Sequence, residues 1–158
     1  MEKEYGLQRV LIPEEGEAKC PIFISKDLDS NERCMLLIQG SGDVRAGIWA
    51  RSVNMNDLTS LGSVFPQLDF ARQYGYSVIV ANHNYNTDED GNEVHESIND
   101  MESHCTYLWS NFISGNNNIK EIVIIAHSAG GVCAESIITR NMKEVKEKVR
   151  FVAFTDAR

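Results

Sequence analysis

A serine becomes a nucleophile when a turn exposes its hydroxyl, amides wait for the developing negative charge, and a base takes its proton. Ile122-Val123-Ile124-Ile125-Ala126-His127-Ser128-Ala129-Gly130-Gly131 offers the first of these. A short continuous apolar run reads as a buried parallel strand. It meets a small-x-Ser-x-Gly turn, and a helical pattern follows at once, which is how a nucleophile elbow is built. So tight a reversal admits only small neighbours, and Ala126 and Gly130 hold the two small positions. Ser128 is thereby placed on the N-terminus of a helix, whose amides favour negative charge.

The second condition points to Met35-Leu36-Leu37-Ile38, another buried strand, which runs into Gln39-Gly40-Ser41-Gly42. In α/β-hydrolases the loop after the corresponding strand supplies an oxyanion amide, often from a His-Gly-x-Gly-like sequence. Here Gln39 stands for the His, while Gly40 and Gly42 keep the backbone open. A plain glycine turn is the competing reading. If the loop serves, the amides of Ser41 and Ala129 are the oxyanion donors.

The third condition is where the chain falls short. An α/β-hydrolase orders its triad Ser, acid, His. Asp156 follows the strand after the elbow and can be the acid, but no histidine follows it. His83, His95, His104 and His127 all precede or adjoin the serine. His127 is expected to point away from a serine exposed on the turn, and His83 would serve only in a non-standard topology.

The surrounding elements alternate. Val10-Leu11-Ile12 before Pro13 predicts a short edge strand, and Pro21-Ile22-Phe23-Ile24 a second strand. Asp43 to Arg51 reads as a loop with a short helical turn, with Trp49 as a packing anchor. Arg45 and Arg51 are expected in surface ion pairs, anion binding being the alternative. Pro66 to Tyr74, closed by Gly75, is a helix burying Leu68 and Phe70-Ala71. Ser77-Val78-Ile79-Val80-Ala81 is a third buried strand, ahead of the polar Asn82-His83-Asn84-Tyr85-Asn86. There His83 either faces a crevice or is a hydrogen-bonded bystander.

Thr87 to Asn92 reads as an acidic surface loop without calcium-ligand spacing. Val94, Ile98, Met101, Cys105, Leu108 and Phe112 recur at 4, 3, 4, 3, 4, predicting one amphipathic helix from Glu93 to Phe112 with His95 and His104 solvated. Beyond Ser128, Val132, Cys133, Ile137 and Ile138 form a helix's apolar face. A charged helical end covers 143–148, and Phe151 to Thr155 reads as a last buried strand. The expected fold is a single α/β domain over residues 1–158. It is a three-layer sandwich of the α/β-hydrolase-like kind with a mostly parallel sheet, lacking the C-terminal strand and helix and so leaving an exposed edge.

The 158 residues carry a formal net charge of −8. The basic cluster Lys143, Lys146, Lys148 and Arg150 is interleaved with Glu144 and Glu147, the pattern of a solvated helix face, so direct nucleic-acid binding is disfavoured. No apolar run approaches a membrane span, and the charged N-terminus lacks a signal segment, so a non-secreted protein is expected. Cys20, Cys34, Cys105 and Cys133 have no paired spacing and read as buried thiols; no metal or cofactor is expected.

Three stretches together resemble the Arb2 (Argonaute-binding protein two) domain family, in its animal branch of cotranscriptional regulators. They are Leu37 to Gly42 with Val44 to Arg51, Tyr74 to Val80 with Asn82, and Ala126 to Gly131 followed by Phe154-Thr155-Asp156. The most specific part is Gly-Ser-Gly-x-Val-Arg-Ala-Gly-x-Trp-Ala-Arg, which contains Arg45, Trp49 and Arg51. The resemblance implies an α/β-hydrolase-like fold and a nuclear location. Implied partners are proteins, Argonaute and chromatin or splicing factors, in small-RNA-directed silencing or alternative splicing. By position Ser128 matches the nucleophile and Asp156 the acid. Three readings follow: a non-catalytic binding module of a nuclear regulatory complex, a serine esterase or thioesterase whose His lies outside this sequence, or a truncated paralogue with little independent fold.

Overall fold

The computed structural model describes residues 1–56 and 59–156. Among these residues six strands form one sheet: β1 (Gln8–Ile12), β2 (Cys20–Ile24), β3 (Arg33–Ile38), β4 (Ser77–Val80), β5 (Glu121–His127) and β6 (Val149–Thr155). Their order across the sheet is β1-β2-β4-β3-β5-β6. β2 runs antiparallel to β1 and β4, while β4, β3, β5 and β6 pair in parallel.

Alternation along the strands builds two cores. Cys34, Leu36 and Ile38 of β3, Ile79 of β4, and Ile122, Ile124 and Ala126 of β5 point to one face. That face is covered by α5 (Met101–Leu108), a π-helical turn (Trp109–Ile113), α6 (Gly130–Arg140) and α7 (Met142–Lys148). Met35, Leu37, Val78, Val80 and Val123 point the other way, onto Leu7, Trp49, Val64 and helix α4 (Phe65–Tyr74) with its Leu68 and Ala71. Both faces of β3, β4 and β5 are thus largely buried, as central parallel strands require. The remaining helices are short: α1 (Glu2–Tyr5), α2 (Arg51–Asn56) and α3 (Thr59–Gly62). Among the described residues no helix is long and apolar enough to cross a membrane. All four cysteines are buried free thiols.

Several expectations need correction. The helix predicted from Glu93 begins only at Met101. Val94 and Ile98 are buried, but from an irregular segment: the Val94 amide donates to the Asn86 carbonyl, and Asp100 caps the helix by accepting from the Ser103 amide at 2.9 Å. His104, expected in solvent, is fully buried; His95 is exposed. Phe70 is 47% exposed, so Leu68 and Ala71 carry the buried face of their helix, with Phe65 packed against the same core. Of the apolar face predicted for α6, Val132 is exposed and Ile138 half-buried, with Gly130, Gly131 and Ala134 taking buried places beside Cys133 and Ile137. β6 is not buried: it pairs with β5 on one side and forms the edge of the described sheet, leaving Phe151 and Phe154 more than half exposed.

Close approach of α6 to the sheet depends on one missing atom. A Cβ on Gly130 would lie 2.6 Å from the Gln39 carbonyl oxygen and 2.8 Å from that of Ile38. An exposed helical Gly→Ala change stabilises by about 1 kcal/mol. Here Gly130→Ala is expected to destabilise by about 2–3 kcal/mol through overpacking, measured as a lower urea midpoint at unchanged slope.

Candidate functional site

At the C-terminal end of β5 the backbone turns through Ser128, a non-glycine residue in the left-handed region at φ 51°. Such a conformation costs energy unless its surroundings fix it. The Ser128 amide donates to the Thr155 carbonyl at 2.9 Å, and the Ser128 carbonyl accepts from the Gly131 amide at 2.9 Å. The hydroxyl therefore rides at the start of α6, where the first amides have no intrahelical acceptor.

The loop after β3 lies against this turn. A Cβ on Gly40 would be 3.3 Å from Ser128 Cβ and 3.4 Å from His127 Cδ2, so Gly40, which leads into Ser41 and Gly42, stands directly beside Ser128. Gly42 is itself left-handed at φ 101°. Gln39 is buried, with no partner for its Nε2 among the described residues.

The loop is held by the polar run after β4. Asn84 Nδ2 donates to the carbonyls of Gly40 (2.8 Å) and Val44 (3.0 Å), and Arg45 Nη1 donates to the Asn84 carbonyl at 2.7 Å. Asn82 is buried and fully used. Its Oδ1 accepts from the Ala46 amide and its Nδ2 donates to the Pro21 carbonyl, both at 2.8 Å, while its amide donates to His104 Nε2 at 3.2 Å. His83 Nε2 faces the Gly40 carbonyl at 3.2 Å. A carbonyl only accepts, so His83 carries its proton on Nε2; His104, accepting there, carries its own on Nδ1. Both Nδ1 atoms are buried without a partner among the described residues, and the two rings meet edge to face at 6.4 Å.

Desolvation is the main force on both imidazoles. It drives His83 down to about 4 against the opposing pull of the Gly40 hydrogen bond. His104 falls to about 3, first by desolvation and then by the charge of His83. Both rings are neutral near pH 7.

His127 turns from the serine. Its Nδ1 lies 3.0 Å from Thr155 Oγ1, and its ring packs 5.8 Å from that of Trp49. Trp49 is buried, while Arg51 pairs with Asp43 at 3.2 Å on the surface. Arg45 departs from the expected ion pair: besides Asn84 its guanidinium lies 5.5 Å from the Tyr85 ring centroid. Asp156 follows directly on Thr155, exposed and left-handed at φ 49°. So the structure brings together Ser128, the Gly40 loop, Ala129 and the end of β6 carrying Asp156. Among the described residues no imidazole hydrogen-bonds the Ser128 hydroxyl, and no cluster of His, Cys, Asp or Glu is arranged to hold a metal. Sequence reasoning missed that Asn82, Asn84 and the His83–His104 pair form the loop's support; the signal was a run of uncharged polar residues straight after a buried strand.

A sheet ordered 1-2-4-3-5-6 with a left-handed serine between β5 and α6 defines an α/β-hydrolase-like domain. Solved structures of that kind superpose on it. A histone deacetylase from Saccharomyces cerevisiae has TM-score 0.60 at 13% identity, over 97% of this chain and 62% of that one. A Rhodococcus 2-hydroxy-6-oxo-6-phenylhexa-2,4-dienoate hydrolase has TM-score 0.54 at 16%, over 96% and 46%. These likenesses establish the fold. More narrowly, the chain belongs to the Arb2 domain family, whose model matches residues 1–158. It is 32% identical to a Dictyostelium discoideum cotranscriptional regulator ARB2A homolog over 96% of this chain and 48% of that protein. The human cotranscriptional regulator ARB2A is 29% identical over 99% and 50%. The chain thus spans about half the length of the curated relatives it matches.

Two outcomes follow. Asn82→Ala orphans the half-buried Ala46 amide and the buried Pro21 carbonyl and should cost about 2–4 kcal/mol, read by urea denaturation. For the histidines the native values lie below the unfolded value near 6.5. Their stabilisation is therefore complete above about pH 6.5 and is lost as pH falls toward 4 and 3, when only the unfolded chain takes up protons. His83→Gln, whose amide can still reach the Gly40 carbonyl, should flatten the fall in urea midpoint between about pH 6.5 and 5.

Proposed function

We propose that this chain is a protein-binding module of a nuclear regulatory complex, associated with Argonaute in small-RNA silencing of chromatin or with alternative splicing, and that it works without hydrolysis. The observation that carries the reading is the commitment of the histidines around the elbow. His83 is engaged with Gly40, His104 with Asn82 and His127 with Thr155, so Ser128 has no base among the described residues. The naming of the relatives as cotranscriptional regulators supports a regulatory role. The formal charge of −8 suits protein partners better than a nucleic-acid backbone.

A second reading has one observation in its favour. The left-handed Ser128 at the head of α6, with the Gly40 loop against it, is the geometry a serine esterase or thioesterase needs. Asp156 would then be the acid, and the His would come from sequence outside this chain. Yet a tight strand-to-helix turn selects small residues for shape alone.

Treatment with a fluorophosphonate and intact-mass measurement separates the two. The expected result is no adduct on folded protein. An adduct that disappears in Ser128→Ala means an activated serine and defeats the binding-module reading. A single cooperative thermal transition is expected for the same sample; broad, probe-dependent melting would instead favour a remnant without an independent fold.

A further inference from the structure

The chain's negative charge is concentrated. Between Arg72 and Lys120 there is no lysine or arginine, yet Asp88, Glu89, Asp90, Glu93, Glu96, Asp100 and Glu102 fall in that interval. Glu14, Glu15 and Glu17 add three more carboxylates on the loop after β1. The fold brings the two segments together: a Cβ on Gly16 would touch His95 at 3.8 Å. Where they meet, a cleft of about 430 Å³ opens between the end of β1 and the outer side of α5 and its π-helical turn.

The walls of this cleft are of two kinds. Val10, Leu11, Tyr107 and Phe112 supply apolar surface, and Leu11 is 46% exposed although it is a large aliphatic residue on a strand. Glu14 and Glu15 line the same cleft. Both are exposed, and the ion pairs of the described residues lie elsewhere, at Arg33–Glu121, Arg51–Asp43 and Lys148–Glu144. Lys19 reaches back only to the backbone carbonyl of Glu14, leaving that carboxylate free for a partner. β1 is also the outermost strand of the described sheet on this side, so an extended chain can lie beside it.

We propose that this cleft docks a short basic segment of a partner protein: an apolar side chain seated among Leu11, Tyr107 and Phe112, flanked by Lys or Arg held by Glu14 and Glu15. Carboxylates on the rim repel phosphates, so a nucleic acid is the wrong occupant. An apolar floor distinguishes the site from a merely acidic surface, because removing an aliphatic or aromatic side chain from water adds affinity that charge alone does not supply. The inference deepens the binding-module reading and rests on it, naming the surface and the chemistry of the partner.

The test uses the whole chain and two fluorescein-labelled probes, Lys-Lys-Leu-Phe-Lys-Lys and Lys-Lys-Ser-Ser-Lys-Lys, with fluorescence anisotropy as readout. The apolar probe is expected to bind about tenfold more tightly than the serine probe, and rising salt should weaken it. Glu14→Lys with Glu15→Lys should reduce its affinity about tenfold or more. Leu11→Ser should narrow the gap between the probes. All three positions are exposed, and an unchanged melting curve verifies each fold. Equal affinity for the two probes would mean unspecific attraction and overturn the proposal. So would the absence of saturable binding, indifference to the substitutions, or displacement of the probe by a single-stranded oligonucleotide. A fluorophosphonate adduct on Ser128, by contrast, would defeat the non-catalytic reading while leaving this result untouched.

Discussion

Three consecutive carbonyls at the end of β3 determine what the rest of the domain can be. Those of Ile38 and Gln39 press against Gly130, which brings the head of α6 onto the sheet. The next, on Gly40, accepts from both His83 and Asn84. One strand end thereby fixes the helix on one side and the glycine loop on the other. Ser128 sits between them, held in a left-handed conformation that a serine would not choose alone. The polar run after β4 is therefore a structural clasp: it satisfies buried backbone groups that would otherwise be costly to desolvate.

That clasp also bears on the serine, which has no imidazole on its hydroxyl among the described residues. A base needs a free ring nitrogen aimed at the hydroxyl. His83 faces a carbonyl that keeps its proton on Nε2, and burial strongly disfavours a second proton. His127 leans on Trp49 and Thr155. His83 and His104 are thus employed as fixed, neutral polar groups. The hydrogen bonds that hold the Gly40 loop beside the elbow thus engage the ring of His83.

Much of this was legible in the sequence. Apolar runs marked β3, β4 and β5 because strands buried on both faces need no alternation. The small residues around Ser128 marked the elbow because a sharp turn excludes larger ones. Proline and glycine bounded the helix Phe65–Tyr74. What escaped had specific causes. The apolar spacing from Val94 continues through a segment that is not helical, since burial of Val94 and Ile98 needs only contact with the core. Asp100 and its bond to Ser103 decide where the helix begins. His104 looked solvated because it lies off the stripe of Met101, Cys105 and Leu108; that stripe faces the core, and the covered surface extends to His104 beside it. Phe151 and Phe154 looked buried because composition does not reveal whether a strand is central or at an edge. The pairing of Asn82 with Pro21 and Ala46 spans 61 and 36 positions of chain, beyond the reach of any local pattern.

The two cores have different tenants, and the chain's two tryptophans divide between them. Trp109 is wholly buried on the face of α5, α6 and α7, its Nε1 donating to Glu144 at 3.2 Å, while Trp49 lies on the opposite face against His127. Each layer of the sandwich thus carries its own intrinsic fluorophore. Trp49 adjoins the serine turn and Trp109 lies across the sheet from it. Emission from this protein is a sum of two local reports, and a disturbance confined to one layer would change only half of the signal's sources.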